Sequence, residues 1–177
     1  MTKIAEFKLN KTNSFILNIT AIFVFIAGLQ LIAFNPYKLF VLVKSHMLLS
    51  LSIPLVIVLV HEGMHALAYK IFGAKLKLGC KHFSLYLIDT SGNLFTHKQI
   101  AIIMLFPVLC MSLILLVAAC IFNNYISFIL LSLLLNIAGS TGDILLSIYI
   151  ILIGRNCWVK DEHNGFSIYK TKIPRSS

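Results

Sequence analysis

The chain has 177 residues, of which 59% are hydrophobic and only 12% charged. A soluble domain of this length lacks the interior to hide so much apolar surface, so the composition excludes a water-soluble enzyme and leaves one integral membrane domain. The net charge of +9 raises nucleic acid as a partner, but the charges sit in short segments beside the apolar runs, where topology accounts for them and no nucleic acid is needed.

Residues 1–13 are polar and basic, with Lys3, Lys8 and Lys11 against Glu6. Ser14 to Phe34 then supplies about one bilayer thickness of apolar chain. It is longer than the hydrophobic region of a signal peptide, lacks a small-x-small cleavage site and is followed by further apolar runs, so it reads as a first span. Asn35-Pro36 ends it, and a short connection over 37–46 carries Lys38 and Lys44. The second span runs from about Met47 to Phe72, with Pro54 as a kink and Gly73 as a C-terminal stop.

The second half of this span holds His61-Glu62-Gly63-Met64-His65, an HExxH pattern. Histidines four apart lie one turn from each other on one helix face, so both imidazoles reach one metal ion while the glutamate stands beside it. In that arrangement Glu62 is the base for a water molecule that the cation acidifies, not a ligand. On a soluble helix the pattern arises by chance. At membrane depth each ionisable side chain costs about 3 kcal/mol or more, which favours a functional cluster over a histidine pair satisfied inside a bundle.

Residues 74–98 differ in kind. Lys75-Leu76-Lys77-Leu78 alternates, Phe83 to Ile88 is rich in strand formers, and Asp89-Thr90-Ser91-Gly92-Asn93 is a turn cluster before Leu94-Phe95-Thr96. The segment reads as a β-hairpin or short sheet at the membrane surface, with an amphipathic interfacial loop as the alternative. The third span covers about Gln99 to Phe122 and includes Pro107; Asn123-Asn124 turns the chain, and the fourth span runs from about Tyr125 to Gly154. In the polar tail, Asn164-Gly165 between Cys157-Trp158-Val159 and Phe166 to Tyr169 is a hairpin signature. The four cysteines, Cys80, Cys110, Cys120 and Cys157, show no CxxC pairing and suggest neither disulfides nor a zinc ribbon. The expected fold is an all-α integral membrane protein with spans at about 14–34, 47–72, 99–122 and 125–154, a small β-hairpin between the second and third, and a C-terminal hairpin.

With four spans, the N-terminus, the 74–98 segment and the C-terminus share one side. Thirteen of the fifteen lysines and arginines fall there or at its border, and only Lys38 and Lys44 lie opposite. The positive-inside rule then places a multi-pass protein of the cell membrane with both termini in the cytoplasm.

Of the six acidic residues, only Glu62 and Asp143 lie within spans. A catalytic zinc takes three protein ligands and one open position, and the histidines supply two. Asp143 is the candidate third. It and His61 each lie 11 residues before the expected inner ends of their spans, about 16 Å at ~1.5 Å per residue, and equal depth is what shared coordination requires. The alternative for Asp143 is a buried acid paired with a histidine or lysine. Ser132, Asn136, Gly139, Ser140, Asp143 and Ser147 recur at three- and four-residue steps on one face. Asn136 can serve a ligand, the substrate backbone or a developing oxyanion, or it can be glue between helices. His46, His82, His97 and His163 fall outside the spans and read as interfacial or solvated; His82 and His97 flank the expected hairpin.

His61-Glu62-Gly63-Met64-His65 in a membrane helix, Pro107 in the next span and Asn136-Ile-Ala-Gly-Ser-Thr-Gly-Asp143 in the last resemble the small bacterial zincin peptidases related to site-2 proteases. The resemblance runs from about residue 55 to the tail. It implies one zinc ion held by His61, His65 and Asp143, Glu62 as base, and hydrolysis of a peptide bond within or beside the membrane, with a membrane protein or peptide as substrate. The strand-rich 83–96 segment can offer an edge to an extended peptide. Two other readings fit the same residues: a transporter passing a divalent ion, and a catalytically inactive scaffold. Against transport, His61, Glu62, His65 and Asp143 gather in one deep site open to the cytoplasmic side rather than in a series through the depth of the bundle; against a scaffold, a metal site without chemistry has no need of Glu62.

Overall fold

Lipid offers the backbone no hydrogen-bonding partner, so a chain this apolar satisfies its peptide groups within helices and confines other backbone to the ends of the bundle. A computed structural model, describing residues 1–8, 10–31, 35–81, 84–153, 157–162 and 165–170, follows that division. Helices α1 (Lys11–Leu31), α3 (Met47–Ile71) and α4 (His97–Ile121) are each long and apolar enough to cross a membrane, which marks a membrane protein. Large apolar side chains such as Phe23, Leu48 and Leu55 point outward, as lipid allows and water does not.

The expected fourth span is two helices, α5 (Ile126–Gly139) and α6 (Thr141–Ile153), bent by 43° at Ser140. The bend has a local cause. Ser140 Oγ donates to the Asn136 carbonyl at 2.7 Å and Thr141 Oγ1 to the Ala138 carbonyl at 2.8 Å, and such back-bonding beside a glycine bends helices. The expected connection over 37–46 is also corrected, since Pro36–Ser45 forms helix α2. Asn35 Oδ1 accepts from the Tyr37 amide at 2.9 Å and proline occupies the first helical position, so the pair that ends one helix starts the next.

The helical expectation holds, and the strands go beyond the two hairpins expected. Strand β1 (Thr2–Lys8), in the segment read only as a basic leader, pairs with the C-terminal hairpin of β5 (Cys157–Glu162) and β6 (Gly165–Lys170). With β4 (Leu94–Thr96) they form one antiparallel sheet in the order β1-β6-β5-β4. Alternation explains the leader's role, because Ala5 and Phe7 turn toward the core while Glu6 and Lys8 face out. Gly165 has φ +139°, and any side chain there would collide with the backbone of β1 at Phe7. The Asn164 half of the turn lies outside the described residues. The hairpin expected over 74–98 is present as β2 (Leu76–Lys81) and β3 (Ser84–Asp89), a separate two-stranded ladder, while β4 joins the larger sheet.

Three features anchor α3 and α4 around the site. Gly73 closes α3 with φ +81° while the Ala74 amide donates to the Tyr69 carbonyl. Thr96 and Gln99 start α4 with a reciprocal capping box. The core lies where the ends of α3, α4 and α6 meet the larger sheet, with Tyr69, Phe95, Ile100, Ile103, Ile150 and Val159 packed together. The first helix belongs to this bundle, packing on α5 and α6.

Candidate metal centre

Helical spacing alone brings His61 and His65 to one face of α3, with ring centroids 4.8 Å apart and planes at 79°. Asp143 arrives from the first turn of α6, just beyond the bend. Its Oδ2 lies 3.1 Å from His61 Nε2 and 3.4 Å from His65 Nε2, and one donor atom from each of the three residues falls within 4.8 Å of the others. Metal–nitrogen and metal–oxygen bonds of ~2.0–2.1 Å at a tetrahedral centre set ligand atoms about 3.3 Å apart. The His–Asp separations are of that size.

The hydrogen bond of His65 carries a second indication. Its Nδ1 lies 3.0 Å from the Ile103 carbonyl oxygen, and a carbonyl only accepts, so Nδ1 carries the proton and donates. In the neutral ring Nε2 is then a lone pair aimed at a carboxylate oxygen. A cation between them turns that opposition into coordination, and a ligand histidine whose other nitrogen donates to a carbonyl is the usual companion of bound zinc. The donor set fits zinc.

Glu62 is half-buried beside the two histidines, and no hydrogen bond or ion pair engages its carboxylate among the described residues. Asn136 is 1% exposed. Its amide nitrogen reaches the Val108 carbonyl at 3.4 Å and Ser112 Oγ at 3.2 Å, both on α4. No hydrogen bond joins it to His61, His65 or Asp143 among the described residues; its Nδ2 braces α5 against α4, and its Oδ1 is buried without a hydrogen-bond partner. Ser140 spends its hydroxyl on its own helix. Of the other histidines, His46 stacks edge-on against Phe128 at 5.4 Å, and His97 begins α4 outside the cluster; His82 and His163 lie outside the described residues.

Two contacts have no counterpart in the sequence reading. One is the Ile103 carbonyl, a backbone group that no side-chain pattern announces. The other is Tyr69, one turn after His65, whose hydroxyl donates to Asp161 Oδ2 of β5 at 2.8 Å while its ring meets Phe95 edge-on. Burial pushes the Asp161 carboxyl up to about 6, against the lowering effect of the Tyr69 hydroxyl, and the charges of Asp89 and Glu162 add to the rise. The C-terminal hairpin is thereby fastened to the helix that carries both histidines.

Two histidines and an aspartate converging across two helices of a membrane protein are a donor set that could hold a metal ion. Residues 54–158 match the model of the family described as "Putative zincin peptidase". The match covers more than half of the chain, and the chain belongs to this family. No curated protein and no solved structure matches it.

Proposed function

We propose that the protein is an intramembrane zinc metallopeptidase of site-2-protease type, hydrolysing peptide bonds of membrane proteins or peptides within or beside the bilayer. The observation that carries the proposal is the convergence of His61, His65 and Asp143 with Glu62 alongside. These three residues would hold one zinc ion per chain, which when bound polarises a peptide carbonyl and acidifies water. Glu62 accepts the proton of the attacking water and returns it to the leaving amine, a general-base and then general-acid role. The hydrogen bond to Ile103 fixes the His65 ring, and packing fixes the helix that presents Asp143.

Asn136 braces α5 on α4 through Nδ2 and is kept as the candidate that steadies the substrate or the developing oxyanion. An extended substrate has an edge to join, because β2 and β3 pair with no third strand among the described residues. The four-span, cytoplasm-facing topology follows the charge distribution.

Metal content of the purified protein tests the reading. Wild type should carry one zinc per chain and both His61→Ala and Asp143→Ala should lose it. Substoichiometric metal, or metal indifferent to Asp143, would break the three-ligand site and favour transport.

A further inference from the structure

An apolar helix normally consumes its own carbonyls, each accepting from the amide four residues ahead. The Ile103 carbonyl of α4 instead accepts from His65 on α3, at 3.0 Å. Four residues ahead of Ile103 stands Pro107, which has no N–H to give. The pyrrolidine ring also crowds the carbonyl four residues back and tilts it off the helix axis. Ile103 and Pro107 are both fully buried on the packed side of α4, and His65 is 7% exposed. A proline that only bent a lipid-facing helix would have no reason to free the one carbonyl that meets a ligand histidine.

We propose that Pro107 is a positioning residue for His65: by withholding an amide proton it leaves the Ile103 carbonyl to the Nδ1–H of His65, and so presents the Nε2 lone pair to the metal. This rests on the metallopeptidase reading, in which His65 is a ligand. It adds the device that selects the tautomer. A histidine free to choose would place its proton on Nε2, facing the Asp143 carboxylate 3.4 Å away, and would have to be rearranged before it could coordinate. In α3, Pro54 likewise removes the amide that would pair with the Ser50 carbonyl, two turns before His61, with no histidine shown donating to it among the described residues.

The test uses ¹⁵N-histidine-labelled full-length protein, stripped of metal and held at about pH 8.5, above the ordinary histidine pKa of ~6.5. NMR reads the His65 tautomer, with His65→Ala assigning the signal, and Zn²⁺ titration against a chelator reads affinity. Wild-type His65 should be the Nδ1–H form. In Pro107→Ala a restored amide competes for Ile103, so the Nε2–H form should gain population and Zn²⁺ should bind about tenfold more weakly, the low end of what loss of an orienting partner costs. Pro54→Ala should change neither.

Wild-type His65 as Nε2–H overturns the proposal without any variant, so it stands or falls even if Pro107→Ala does not fold. Weaker zinc binding in Pro107→Ala with the Nδ1–H form intact also overturns it, because loosened packing alone gives that result. Zinc retained by His61→Ala would instead sink the metallopeptidase reading, an outcome separate from a tautomer read on metal-free protein.

Discussion

Glu62 and His61 are adjacent in sequence but stand about 100° apart around the helix, which is why one can coordinate while the other serves as a base. Replacing the carboxylate by its amide keeps size and removes basicity. Glu62→Gln should therefore retain one zinc per chain while cleavage of a transmembrane peptide in proteoliposomes falls by about 10²–10⁴, the usual contribution of a general base. Undiminished cleavage would remove Glu62 from the mechanism. At this scale the cluster is legible in the sequence, because ionisable residues at membrane depth are few and costly, leaving Asp143 as the partner for the histidine pair. Asn136 is not legible to the same degree. An amide on a small-residue face suits both a site and a helix contact, and the structure shows its Nδ2 bonded to Val108 and Ser112 while its Oδ1 has no partner.

Helices and strands were readable where hydrophobic runs were long and punctuation was strong, as for α3 between Met47 and Gly73. They were less so where one residue does two jobs. Asn35-Pro36 reads as a stop, yet it caps α2; Ser140 reads as one of a face of small residues, yet with Thr141 its hydroxyl bends the chain between α5 and α6. The β5–β6 hairpin announced itself through Asn164-Gly165, but its attachment to α3 through Asp161 and Tyr69 is a long-range pairing that local pattern does not encode. That attachment has a pH dependence. An acid whose folded pKa of about 6 lies above the ordinary 3.8 holds its proton better folded than unfolded. Its contribution is fully present below the ordinary value and is lost as the pH rises through the folded one. At 1.36 kcal/mol per pK unit the ionised form costs up to about 3 kcal/mol at neutral pH. Asp161→Asn keeps an acceptor for Tyr69 and cannot ionise. Melting of metal-free protein in detergent should show the variant more stable than wild type at about pH 7.5 and the advantage gone at about pH 4; a constant difference across that range would acquit the carboxyl.

At the scale of the whole molecule, the larger sheet constrains topology more tightly than hydropathy does. Strands β1, β4, β5 and β6 belong to one sheet, so residues 2–8, 94–96, 157–162 and 165–170 meet at one end of the bundle. The chain must leave that end and return to it twice: α1 and α3 make the first excursion, with α2 at the turn, and α4 makes the outward half of the second. The bent α5–α6 pair carries the chain back toward β5, and counted as one span it raises the three candidate spans to four. The sequence could count apolar runs but could not close this circuit, because β1 carries three charged residues in seven and gives no hydropathy signal. Lysines sort the same way: those on the sheet and on the β2–β3 hairpin lie at one end, and Lys44 closes α2 at the other. Reporters fused to either terminus should therefore behave as cytoplasmic, with fluorescent protein bright and alkaline phosphatase inactive, while a phosphatase inserted after Lys44 should be active. Opposite behaviour of the two termini would mean an odd number of crossings. Such a result would require one strand to reach the sheet from across the membrane, which no backbone outside a helix or closed barrel can do through lipid.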